Sequence, residues 1–249
     1  MIITPRLYVG DEPGAPVPGG DYALPEAAAR HIGHVLRMRV GDSVALFTGK
    51  GGEYAATIRG IERRGVTVRI DRHDPVEREA PWGVTLAQSI IAADMMDFVV
   101  RKAVELGVAA IQPLQSARSQ NASDERAARR LAHWRRIAIA ACEQCGRNRL
   151  PGIAPAVSFA QWFAAAGDAS RRPVAILDAA GARSLASLGA SEAPHAIVVG
   201  PEGGFDTAEV QLAQAEGAVA VHLGPRVLRA ETAALAALAT VNAIAGDAR

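Results

Sequence analysis

The chain has 249 residues, of which 49% are hydrophobic, enough to bury a substantial core in one or two domains. Only two cysteines, Cys142 and Cys145, are present, too few to staple a secreted fold of this size, and the formal net charge of +1 rules out a uniformly basic chain. No run approaches the ~20 uninterrupted apolar residues of a membrane helix, and the opening Met1-Ile2-Ile3-Thr4-Pro5-Arg6 lacks a basic-then-apolar signal, so no membrane partner and a cytoplasmic location are expected.

The charge is unevenly spread. Residues 1–72 carry ten Lys and Arg against eight Asp and Glu, and residues 118–149 carry eight against three, while 73–117 and 150–249 are net acidic. A polyanion touching only two faces would leave this pattern, and the plainer alternative is a solvated helix face.

Residues 10–20, dense in Gly, Pro, Asp and Glu, read as a loop. Residues 25–38 read as a helix with Ile32, Val35 and Leu36 on its apolar side and Arg30, His31, Arg37 and Arg39 elsewhere around it. Three strands follow, 43–47, 53–61 and 66–70, with alternation in Val44/Leu46, Tyr54/Ala56/Ile58 and Val66/Val68/Ile70. They predict a small, closed or half-closed antiparallel barrel. The glycines at 49, 51 and 52 join two strands and open no helix, so they are not a dinucleotide fingerprint.

The polar, proline-bounded stretch 72–81 marks a domain boundary, giving a first domain of 1–73 and a second of 74–249. Beyond it, strands (83–89, 109–113, 174–177, 196–199, 219–223) alternate with helices, which argues for an α/β domain on a mainly parallel sheet. The basic stretch is a helix whose buried side is Leu131, Trp134, Ala138 and Ala141, leaving Arg126, Arg129, Arg130 and Arg136 largely elsewhere, and it ends near Gly146. Cys142-x-x-Cys145 has no second pair of ligands, and two small core residues explain it better than zinc; no metal is expected.

Two glycine loops dominate the last fifth of the chain: Gly200-Pro201-Glu202-Gly203-Gly204-Phe205, and Gly224-Pro225-Arg226-Val227-Leu228-Arg229. Each follows an apolar strand and precedes a helix, the first with Asp206 and Glu209 at capping-box spacing. Glycine loops at the carboxyl ends of adjacent strands form a crevice where a ligand meets bare backbone. P-loop, nucleophile-elbow and zincin patterns are absent. What remains is a pocket with apolar lips, Phe205, Leu223, Val227 and Leu228, suited to a flat purine with a charged tail, as in S-adenosylmethionine.

These two loops, the second extended through Ala230-Glu231-Thr232-Ala233, resemble the signature of the RsmE family of 16S ribosomal RNA (uracil-N3) methyltransferases in the SPOUT superfamily. The likeness continues through Lys102-Ala103-Val104-Glu105-Leu106-Gly107-Val108, Arg118-Ser119, Glu143-Gln144-Cys145-Gly146-Arg147, and residues 31–42. Cys145 and Val227 stand where related sequences often have serine and isoleucine, both near-isosteric changes.

The resemblance implies an N-terminal PUA-like β-barrel for RNA, a C-terminal α/β domain with a trefoil knot, and a homodimer with S-adenosylmethionine held in the knot loops near the subunit interface. It implies methylation of uridine N3 in 16S rRNA of the 30S subunit. Gly200, Glu202, Gly203, Gly204, Leu223, Gly224, Val227, Leu228 and Thr232 are then the expected cofactor residues. Arg229 is the candidate for stabilising charge on the uracil, and Arg30, Arg37, Arg39, Arg118 and Arg147 are candidates for holding RNA. Any such arginine has an alternative as the partner of a carboxylate such as Glu202, and Glu231 has one as a first-turn helix charge, so no general base is named. The final helix, 233–245, fits a subunit interface or ordinary intramolecular packing. Two other functions fit the same loops: a SPOUT methyltransferase of another RNA nucleotide, and a non-catalytic RNA-binding assembly factor.

Overall fold

A computed structural model describes residues 4–10, 14–63, 65–119, 124–166 and 173–247. The chain divides into two compact units, one running to Glu79 and regaining Ile139–Leu150, the other comprising Ala80–Ala138 and the chain from Pro151. The break lies within the polar stretch 72–81, and a short segment at the end of the basic helix joins the first unit.

In the first unit, β1 (Arg6–Tyr8), β2 (Asp21–Ala23), β3 (Ser43–Phe47), β4 (Glu53–Glu62) and β5 (Gly65–Asp74) form one sheet in the order β1-β3-β4-β5-β2. All neighbours are antiparallel except β1 and β3. Val44 and Leu46, Ala56 and Ile58, and Val66, Val68 and Ile70 point into one buried cluster with Leu7 and Ile32, as period-two alternation requires. Register shifts at Ala55/Ala56 and Ile58/Gly60 bend the β4–β5 hairpin.

The helix expected over 25–38 takes a different form. It is a short α-helix, α1 (Glu26–Arg30), continued by a π-helical segment over His31–Leu36. The wider i→i+5 turn rotates residues beyond Ile32 off the apolar stripe. Ile32 is fully buried, whereas Val35 is 66% exposed and Leu36 36%.

The second unit holds a parallel sheet of β6 (Thr85–Ser89), β7 (Ala110–Gln115), β8 (Gly152–Ile153), β10 (Val174–Leu177), β11 (Arg183–Ser184), β12 (Ala196–Val199) and β13 (Val219–His222) in the order β11-β13-β10-β12-β6-β7-β8, with β9 (Val157–Ser158) also on β7. Every pairing in it is parallel. Its connections include α2 (Ala93–Glu105), α3 (Asp124–Cys145), α4 (Phe159–Ala166) and α5 (Thr207–Ala215), and α6 (Ala230–Ala245) ends the chain's regular structure. β12 is buried along its whole length, as a strand covered on both faces must be. The buried side of α6, with Ala234, Ala237, Leu238 and Val241, packs within the chain on α2, β6 and β12. There Asn242 Nδ2 donates to the Leu106 carbonyl at 2.7 Å.

In α3, Trp134, Ala138 and Ala141 are buried and Leu131 half-buried. The Arg126 side chain lies outside the described residues. The helix stops at Gly146, whose φ of +90° suits a glycine after the last turn. Cys142 is fully buried, and burial pushes its thiol pKa up to about 12.

Candidate active site

Strands β13, β10 and β12 are neighbours and parallel, so their carboxyl ends open side by side. Three segments leave there: 178–179 after β10, 200–205 after β12 and 223–229 after β13. Together with the start of α6 and Met95 of α2 they enclose a cavity of about 520 Å³. That volume and its largely apolar wall are typical of a small-molecule site.

Of the residues expected to hold a cofactor, Gly200, Glu202, Gly204, Leu223, Gly224, Val227 and Leu228 line this cavity, as does Arg229. Gly203 and Thr232 do not line it. A Cβ on Gly203 would lie 3.3 Å from Arg118 Cδ, so this glycine makes room for the arginine and not for the cavity. Thr232 is exposed one residue after Glu231, which does line the cavity.

The first loop is held at several points. Glu202 Oε1 accepts the Ala92 N–H at 3.0 Å, tying the loop to the start of α2. Arg118 Nη1 donates to the Gly203 carbonyl at 2.7 Å. Asp206 and Glu209 form the capping box read from their spacing, with Glu209 N–H on Asp206 Oδ1 at 2.8 Å and Asp206 N–H on Glu209 Oε2 at 3.1 Å. The other oxygen of Glu209 accepts the Ala117 N–H at 2.7 Å. A Cβ on Gly200 would come within 3.3 Å of the Phe205 ring and backbone, while Gly204 has open space but φ of +69°.

The second loop is freer. Gly224 has φ of +104°, Val227 is 90% exposed, and Arg229 is the exposed N-cap residue of α6. Arg229 has no hydrogen bond or ion pair from its side chain among the described residues, so the expected alternative pairing with Glu202 is not made. A free guanidinium on the cavity wall can receive an anion, and Glu231 beside it supplies a half-buried carboxylate.

Sequence reasoning passed over Met95, Asp178 and His222, all of which line the cavity. Asp178 carried a readable signal, since it follows an apolar strand as the two glycine loops do. Met95 carried none, because it enters through the pairing of distant elements.

The residues expected to face RNA separate into two groups. Arg30, Arg37 and Arg39 are exposed on the first unit: Arg30 Nε lies 3.8 Å from Glu26 Oε1, and Arg37, at φ +52°, is the sole non-glycine with positive φ among the described residues. Arg147 is placed otherwise. It is 4% exposed, its Nε lies 3.1 and 3.2 Å from the two Glu79 oxygens, and its Nη2 also bonds that carboxylate. A desolvated guanidinium spent on a carboxylate offers nothing to a phosphate, so the RNA-facing role expected of Arg147 does not fit its position. Nearby, burial alone would raise the Glu53 carboxyl, but hydrogen bonds from Arg78 and Arg6 hold it below the usual carboxylate range.

The glycine-walled cavity lies at the carboxyl edge of a parallel sheet in a chain whose first unit is a small, mainly antiparallel sheet, and the family models say what this combination is, an RNA methyltransferase: the model of the RNA methyltransferase domain matches residues 78–242, and that of the RNA methyltransferase PUA domain matches 24–71. The ribosomal RNA small subunit methyltransferase E of Bacillus subtilis is 30% identical over 228 residues, 89% of either chain. The chain belongs to the ribosomal RNA small subunit methyltransferase E family. Among solved structures, the enzyme of that name from Neisseria gonorrhoeae, bound to S-adenosylmethionine, superposes with a TM-score of 0.89 at 37% identity, covering 98% of this chain and 99% of its own. A methyltransferase from Legionella pneumophila in complex with the same cofactor gives 0.90 at 38% identity, with 97% and 98% covered.

Proposed function

We propose that this chain transfers a methyl group from S-adenosylmethionine to N3 of one uridine in the 16S rRNA of the small ribosomal subunit. The observation that carries the reading is the cavity of about 520 Å³ built by both glycine loops, with Arg229, which has no side-chain partner among the described residues, on its wall. The cavity fits the cofactor by chemistry as well as by volume. Gly200, Gly204 and Gly224 bring bare backbone to the wall, Leu223, Val227, Leu228 and Met95 supply apolar surface for a purine, and Asp178, Glu202 and Glu231 supply carboxylates for hydroxyl or ammonium groups. When bound, the cofactor supplies an electrophilic methyl group on a sulfonium.

The chain's own residues have two tasks. One is to hold the uracil with N3 in line for transfer, which converts an encounter into a positioned reaction. The other is to favour the N3 anion, whose charge spreads to O2 and O4. Arg229 takes this second task, a reading supported by the absence of any carboxylate partner for it among the described residues. Arg118, bonded to the Gly203 carbonyl, supports the first loop and keeps its remaining guanidinium donors for RNA. On the first unit Arg30, Arg37 and Arg39 contact RNA phosphates, making that unit the RNA-binding barrel. The enzyme acts in the cytoplasm as a homodimer on the 30S subunit.

The test is methyl transfer from labelled S-adenosylmethionine to 30S subunits and to naked 16S RNA, with the modified nucleoside identified by mass spectrometry. N3-methyluridine at a single site is the expected product. A different methylated nucleoside would move the substrate, and cofactor binding without transfer to either RNA would favour a binding role.

A further inference from the structure

We propose that His222 is a positioning residue of the cofactor site, its imidazole capping the turn that carries the second glycine loop into the cavity. The inference rests on the cofactor reading above. His222 is the last residue of β13 and lines the cavity, and its Nδ1 accepts the Gly224 N–H at 3.0 Å. A backbone N–H only donates, so Nδ1 is the acceptor, and in the neutral ring the proton sits on Nε2.

The bond closes a turn of the kind that Asn and Asp side chains make with the N–H two residues on. It does so at Gly224, whose φ of +104° glycine alone enters cheaply and leaves as easily. The residues beyond have little else to fix them. Pro225 has no N–H, residues 225–227 make no hydrogen bond among the described residues, and Val227 is 90% exposed. The loop is therefore pinned at its two ends, by the start of α6, where Ala233 N–H bonds the Arg229 carbonyl at 2.8 Å, and by the His222 cap. Loss of the cap frees the backbone of Gly224 and with it the wall formed by Leu223, Val227 and Leu228.

Two variants separate the acceptor from the bulk of the ring. His222→Asn sets an amide oxygen where Nδ1 lies and keeps the cap; His222→Leu keeps the size and removes the acceptor. Calorimetric binding of S-adenosylmethionine to the full chain should give affinities within about twofold for wild type and H222N. H222L should bind roughly three- to tenfold more weakly, the scale of one lost hydrogen bond. All three should show cooperative unfolding at closely similar temperatures. Hydrogen exchange at the Gly224 amide, read without ligand, should be slow in wild type and H222N and fast in H222L. Wild-type affinity in H222L, equal weakness of both variants, or fast Gly224 exchange in wild type would each overturn the cap. Failure of the wild type itself to bind S-adenosylmethionine, with Gly224 protected, would overturn the cofactor reading on which the role depends.

Discussion

Arg229 is exposed on the cavity wall with no partner for its guanidinium among the described residues, whereas Arg147 is sunk against Glu79, and the two should respond to substitution in opposite ways. Arg229→Ala should lower kcat by about 10²-fold, the usual cost of removing one donor to a developing anion, and leave cofactor affinity within about twofold. Single-turnover transfer alongside calorimetry checks this, and an equal loss in both would make Arg229 a cofactor residue. Arg147→Ala should cost about 2–3 kcal/mol in the first unit, because it removes the buried cation and leaves the half-buried Glu79 carboxylate without its partner. Denaturant unfolding reads that loss; unchanged stability with weaker RNA binding would restore the surface role. The two arginines look alike in the sequence, each following a glycine-bearing stretch within five residues. Nothing local marks Arg147 as interior, since its partner stands 68 residues earlier in the chain.

The glycine loops were legible as elements because their residue types have few other uses: apolar strand, glycines, capping box, helix. What each glycine does was less so. Gly200 and Gly203 avoid contacts at 3.3 Å, but Gly204 has space and an unfavourable φ of +69°, so a side chain there acts by strain and not by collision. Gly204→Ala should therefore weaken S-adenosylmethionine binding by roughly fivefold, for a strain of about 1 kcal/mol, with Gly152→Ala, which meets nothing within 4 Å and has no positive φ, as the neutral control. Equal affinities would remove the conformational argument for Gly204. The helix over 25–38 was legible only to Ile32, since a strict 3.6-residue period cannot show where a π-helical turn resets the phase. Strands β8, β9 and β11, at two residues each, are too short to carry any period. At the start of β4, Glu53 gives a pH signature. Its carboxyl is held below the usual range by Arg78 and Arg6 against the opposing effect of burial, so its contribution to stability is complete at neutral pH and is lost as pH falls through that lowered value. Acid unfolding of the first unit should show this slope, and Glu53→Gln should flatten it.

Across the whole molecule the charge pattern that first suggested a polyanion is redistributed by folding. The two ends of the basic stretch 118–149 are engaged within the fold: Arg118 bonds a glycine carbonyl, Arg147 is buried, and Arg149 lies 3.2 Å from Glu77. Arg37 and Arg39, by contrast, are exposed with no side-chain ion pair among the described residues. The phosphate contacts proposed for Arg37 and Arg39 belong to the first unit and the cofactor cavity to the second, so at these two arginines RNA binding and cofactor binding should separate by mutation. RNA affinity should fall linearly with the logarithm of salt concentration, because each phosphate contact releases counterions. Replacing both Arg37 and Arg39 by Ala should reduce that slope by roughly 1.4 to 1.8, at about 0.7 to 0.9 per phosphate, while S-adenosylmethionine affinity stays as in wild type. Filter binding of 16S RNA over a salt series gives the slope directly. A lower affinity with an unchanged slope would place these arginines against bases instead of phosphates, and an unchanged affinity would move RNA recognition off this face of the first unit.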